Sequence, residues 1–123
     1  MKALVLSLSV LVGASASAQT VPKEFPADGT TPPAAALKER LAGKVYSVTL
    51  ADGTHWRLDY RSNGYFFVDT STGFRGTGDW HTDDGKLCAS LRGGNSSCNE
   101  VRDVGGVIYL KRDSGEVIAL LPK

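Results

Sequence analysis

From Lys44 to the C-terminus, apolar and polar residues alternate in short runs separated by turn-forming residues. "HWRLDY" sets Trp56, Leu58 and Tyr60 on one face and His55, Arg57 and Asp59 on the other, the period-two pattern of a half-buried strand. "FRGTGDWHT" alternates likewise, aligning Phe74, Gly76, Gly78 and Trp80 and turning His81 to the opposite face. "VYSVTL", "YFFVD", "LCASL", "CNEVRD", "VIYLKR" and "EVIALL" bring the set to eight predicted strands, with Gly-, Asn- or Asp-containing turns about every ten residues. "RSNG" is the strongest turn signal, because Asn-Gly readily adopts the positive φ angles of a type I′ hairpin. No helical crossover separates the runs, so neighbouring strands pair antiparallel and mostly in sequence order.

Such a set escapes exposed edges by closing into a barrel or by packing as two sheets. Gly76 and Gly78 beside Trp80 favour the barrel, since small residues at a sharp bend make room for a large ring. The expected fold is therefore all-β: an eight-stranded, antiparallel, up-and-down barrel of calycin type with one short N-terminal helix. Trp56, Leu58, Tyr60, Phe74, Trp80 and Ile108 are its expected core. A barrel of this size is nearly filled by side chains or holds one small ligand. The inward residues are sufficient, on this count, to fill it.

Ahead of the strands, "TPPAAALKERLAGK" predicts a helix over 32–42, with Thr31 as N-cap, Pro32 in the first turn and Gly43 as the stop. Leu37 and Leu41 share a face with Ala34. So short a helix cannot stand alone in water and must dock as a lid or brace. Residues 19–31 hold two prolines and few apolar side chains, and read as an extended, mobile lead-in to a single domain over 32–123. Residues 1–18 read as a signal peptide: Lys2, an apolar run, then Ala16-Ser17-Ala18 before the cleavage point. The run is far shorter than the roughly 20 residues that span a bilayer, so no membrane span is expected in the mature chain. Export to the periplasm or beyond follows.

Without Lys2 the mature chain has 13 basic residues (14 minus one) against 13 acidic ones, with the signs interspersed. No basic stripe marks a nucleic-acid binder. Cys88 and Cys98 are the only two cysteines and the chain reads as exported, which favours a disulfide. A loop of that size contributes about 2.5–3 kcal/mol by chain entropy. The rival is zinc bound with His81, but structural zinc usually takes four tightly spaced N or S ligands and no CxxC pair is present. His55, Arg57, Asp59 and His81 form a possible surface site, in which one histidine acts as base beside Asp59 or Asp79. The bland reading of the same residues is a solvated outer face. Asp83-Asp84 sits in a "DDGK" turn pointing to solvent, and "NSS" reads as an unmodified sequon. No catalytic, cofactor or metal set is expected.

Taken together, "LAGKVY", "DGTHWRLDY", "NGYFF", "GTGDW", "DGKLC", "CNEVR" and "IYLKRDSGEV" resemble small exported proteins of Gram-negative bacteria grouped as a domain of unknown function, over residues 41–117. The resemblance implies export and a β fold and carries no activity. In architecture the chain is also similar to small periplasmic inhibitors of lysozyme or of secreted proteases. The former carry a Ser-Gly loop with a nearby Tyr, whereas here Ser114-Gly115 is followed by Glu116 and Val117. The latter insert a free N-terminal trunk, for which residues 19–31 are the candidate. The expectation is a monomeric, non-enzymatic module that binds a small molecule or a protein. An inhibitor and a small hydrolase are the alternatives.

Overall fold

The alternating runs become strands at almost every expected place. In the computed structural model, which describes residues 21–123, these are β1 (Lys44–Thr49), β2 (His55–Tyr60), β3 (Tyr65–Thr70), β4 (Arg75–Asp83), β5 (Lys86–Leu91), β6 (Ser96–Val104), β7 (Val107–Lys111) and β8 (Val117–Pro122). Each pairs antiparallel with the next, and β8 returns to β1 through Tyr46↔Pro122 and Ser47↔Leu121, closing the barrel. Closure leaves no free sheet edge. The signal peptide and its cleavage point lie outside the described residues. Among the described residues, no helix is long and apolar enough to cross a membrane.

One turn design recurs. In 50–54, 61–65, 70–74 and 112–116 the first residue's N–H donates to the fifth residue's carbonyl, and a glycine in fourth place donates back to the first. Gly64 takes φ +94° while Asn63 does not enter the left-handed region, so "RSNG" closes as a three-residue turn rather than the expected type I′. The Asn63 side chain instead accepts from the Tyr65 N–H. The type I′ signature, positive φ at both central residues, appears at Gly105-Gly106.

Helix α1 (Ala34–Leu41) is shorter than expected at both ends and capped differently. Two prolines hold the chain extended beyond Thr31, so Thr31 cannot reach the first turn; Pro33 takes the N-cap position, and the Ala34 N–H donates to Asp84 Oδ1 at 2.9 Å. Asp84 thus serves the helix from the β4–β5 turn. At the other end the Arg40 guanidinium donates to Asp103 Oδ2 (2.8 Å) and to the Gly106 carbonyl at the β6–β7 turn. The helix therefore lies across one end of the barrel and buries Leu37 and Leu41 completely. Below them Tyr46, Tyr60, Phe66 and Trp80 pack ring to ring, with centroid spacings of 5.1–6.1 Å.

Of the expected core, Leu58, Tyr60, Trp80 and Ile108 are buried and Trp56 packs against the core partly buried. Phe74 is the exception, 53% exposed. It keeps the inward parity of β4 but precedes the strand, in the 70–74 turn, where no opposite wall remains to cover it. Gly78 answers to something other than the Trp80 ring. A Cβ there would meet the Ser90 carbonyl oxygen at 1.8 Å, so the glycine permits β4 and β5 to approach backbone to backbone.

The described part of the lead-in, residues 21–31, runs extended apart from a turn at Ala27-Asp28, and it is held. The Pro22 carbonyl accepts from the Val117 N–H, and Thr30 pairs with Asp103 in both directions. Between those anchors the Phe25 ring lies under Arg102 and Lys111, 5.2 Å from each cationic group.

Candidate functional site: a cavity at the open end

The interior is not filled. Away from the helix, inward side chains become small or polar: Ala89 on β5 and Ser97 and Asn99 on β6 face a space that Leu or Phe would occupy. The result is a cavity of about 330 Å3 that opens between the 70–74, 92–95 and 112–116 turns. Its floor is Tyr60 and Phe66, and its walls include Leu58, Val68, Leu87 and Ile118. An apolar cavity of about 150 Å3 admits benzene. This one has roughly twice that volume, within the lower range of small-molecule sites.

The rim is polar and ordered. Asn99 Nδ2 donates to the Lys111 carbonyl (3.0 Å) and to Asp113 Oδ1 (2.9 Å), and its Oδ1 accepts from Ser97 Oγ. Arg112 donates to Glu116 Oε1 at 2.6 Å and stacks 4.8 Å over the Trp56 ring. The other Glu116 oxygen accepts from the Ala51 N–H, tying the 50–54 turn to the 112–116 turn. Glu116 is buried, so this carboxylate is a built part of the rim rather than a free surface charge. At the floor, burial raises the Tyr60 hydroxyl well above the ordinary phenol range and nearby Tyr46 adds to it. The Tyr46 hydroxyl donates to the Arg40 carbonyl and is also raised by burial, partly opposed by the Arg40 charge.

The outer-face residues singled out by sequence do not converge. His55 stands at the cavity end with Nδ1 3.1 Å from Thr49 Oγ1, while His81 stands near the helix end, 3.9 Å from Asp83. Arg57 faces Asp69 at 3.9 Å. Asp59 shares their parity but is buried, not solvated: Arg61 Nε donates to it at 3.1 Å and lies over Phe67. No histidine here has both a nucleophile and an orienting carboxylate among the described residues.

Cys88 and Cys98 are joined as a disulfide, opposite each other in the β5–β6 register and on the outer face. A disulfide is at home in an oxidising compartment. His81, Asp83 and the two sulfur atoms lie within 4.8 Å of one another, but with the sulfurs bonded to each other the zinc reading fails for this state. Comparison of the chain with protein-family models, curated proteins and solved structures gave no match. The resemblance drawn above rests on its motifs alone.

The cavity was legible in part. The inward positions read Ser97, Asn99, Val101 on β6, polar toward the open end, and Leu87, Ala89, Leu91 on β5, with one small residue at mid-strand.

Proposed function

We propose that this protein is a small exported barrel that binds, without chemistry, an amphipathic small molecule in the open-end cavity. The observation that carries the reading is the 330 Å3 space with an apolar wall and a fixed polar rim. The ligand's apolar body would lie against Leu58, Val68 and Ile118, and its polar group would meet Arg112, Asn95 or Ser114 at the mouth. The disulfide supports a periplasmic or secreted home, and a monomer suffices, since the cavity is built from one chain. The balanced, interspersed charge supports no role on nucleic acid.

The inhibitor readings draw less support. A protease-inserting trunk must be free, whereas the chain from Pro22 to Thr30 is bound to its own barrel. In the 112–116 turn, Glu116 is engaged with Arg112 and Ala51.

The test is native mass spectrometry of protein purified from its own compartment, followed by titration with 1-anilinonaphthalene-8-sulfonate, an apolar fluorophore with an anionic group. Excess mass, or saturable one-to-one dye binding lost on filling the cavity, is expected. A clean mass together with no saturable dye binding overturns the reading.

A further inference from the structure

We propose that His81, Asp83, Cys88 and Cys98 form a latent zinc site, closed while the disulfide stands and opened by its reduction. The site is separate from the cavity, which lies on the other face of the same strands. Register builds it: His81 on β4 faces Cys88 on β5, which faces Cys98 on β6, three outward side chains in one row. Asp83 follows His81 by two residues and so shares its face. Its Oδ2 is 3.8 Å from Cys88 Sγ and 3.9 Å from His81 Nε2.

Size decides whether these atoms can share an ion. Zinc bonds of about 2.0–2.3 Å place tetrahedral ligand atoms roughly 3.3–3.8 Å apart. The four candidate atoms already lie within 4.8 Å of one another; once the reduced sulfurs have parted to separate ligand positions, closing on the ion asks His81 and Asp83 for side-chain movement of about an ångström. His81 and Asp83 are free to make it, being 67% and 63% exposed. The strands beneath need not move, because the β4–β5 and β5–β6 ladders hold the row in register. Two thiolates, an imidazole and a carboxylate are a donor set that suits zinc. The ligands' three negative charges exceed the ion's two positive ones by one; Lys86 stands across from Asp83 on β4 and from Glu100 on β6 in the register.

The redox step balances. A dithiol reductant transfers two electrons and two protons to the Cys88–Cys98 bond and leaves as its own disulfide. The two cysteine thiols then release their protons to solvent as Zn2+ binds.

The experiment reduces the purified full chain anaerobically with a water-soluble phosphine, which delivers the same two electrons and ends as phosphine oxide. After its removal the protein is titrated with Co2+, then with Zn2+ against a chromophoric chelator. One equivalent of Co2+ with tetrahedral d–d and thiolate charge-transfer absorption is expected in the reduced protein and none in the oxidised. Losing a group that only hydrogen-bonds to a metal ligand already weakens metal binding by about 10–100-fold, so H81A and D83N should each cost at least about tenfold. Reduced protein that binds no more tightly than oxidised protein overturns the proposal. So does unchanged affinity in both variants. Circular dichroism accompanies each step: if reduction alone unfolds the barrel, added Zn2+ should restore the strand signal, and failure to do so overturns it equally.

Discussion

At one end of the barrel a helix turns Leu37 and Leu41 wholly into the interior; at the other Phe74 stands 53% exposed above a hollow. Both ends are made by the same strands and by turns of similar length, so strand geometry does not account for the difference. What crosses the end does. The helix reaches from Asp84 in one turn to Asp103 and Gly106 in another, and turns two leucines into the gap. Among the described residues no segment lies across the opposite end; there the 50–54 and 112–116 turns are tied side by side through Glu116. One end is closed by buried side chains and the other is left hollow.

Truncation should expose this contrast most strongly. Leu37→Ala removes a fully buried side chain that has no room to be replaced by neighbours, and should cost about 2–5 kcal/mol. Phe74→Ala, a larger deletion at the rim, should stay within about 0.5 kcal/mol. Urea unfolding of the two variants measures both; equal losses would mean that the rim is as much a part of the core as the plug. The disulfide comes next in size. Replacing Cys88 and Cys98 together by serine should cost about 2.5–3 kcal/mol, read as a lower midpoint at unchanged slope.

Alkaline pH tests the aromatic layer between the helix and the cavity. Burial raises the folded-state pKa of Tyr60 above its unfolded value. The neutral phenol's contribution is therefore fully present below about pH 10 and is lost as pH climbs toward the folded value. The folded state then holds more protons than the unfolded, so stability falls by up to about 1.4 kcal/mol per pH unit for this one group. Tyr60→Phe should flatten the decline between about pH 10 and 11.5 while leaving neutral stability little changed. Tyr46, shifted in the same direction, accounts for some of the slope that remains.

How much of this could be read from the chain divides along the same line. Strand periodicity finds Leu58, Tyr60, Trp80 and Ile108 because parity alone decides which way a residue faces inside a ladder. It fails at Phe74, where parity continues after the ladder has stopped. It fails in the other direction at Asp59, whose outward parity is right but whose exposure is removed by Arg61 and Phe67, neighbours brought by other positions. The helix cap fails for a related reason: Asp84 lies 50 residues from Ala34 and only the closed barrel brings them together. A hollow is harder still, being a difference between enclosed volume and the summed volume of inward side chains. The run Ala89, Ser97 and Asn99 carries the second quantity, but the first waits on closure.

A small expected change in stability, paired with a large one in binding, bears most on function. Ala89 points inward from β5 and lines the cavity without filling it. Ala89→Leu adds three methylene-sized groups where open space exists, so the overpacking cost of about 1–3 kcal/mol that a closed core would charge should shrink to under about 1 kcal/mol. Dye binding, by contrast, should fall at least tenfold, because the new side chain occupies the space the fluorophore's rings need. Thermal melting and 1-anilinonaphthalene-8-sulfonate titration of the same sample separate the two effects. A variant that melts well below the parent would mean that the space closes on itself in solution. A variant that keeps full dye binding would put the fluorophore elsewhere, and with it the case for the open end as the place where a ligand sits.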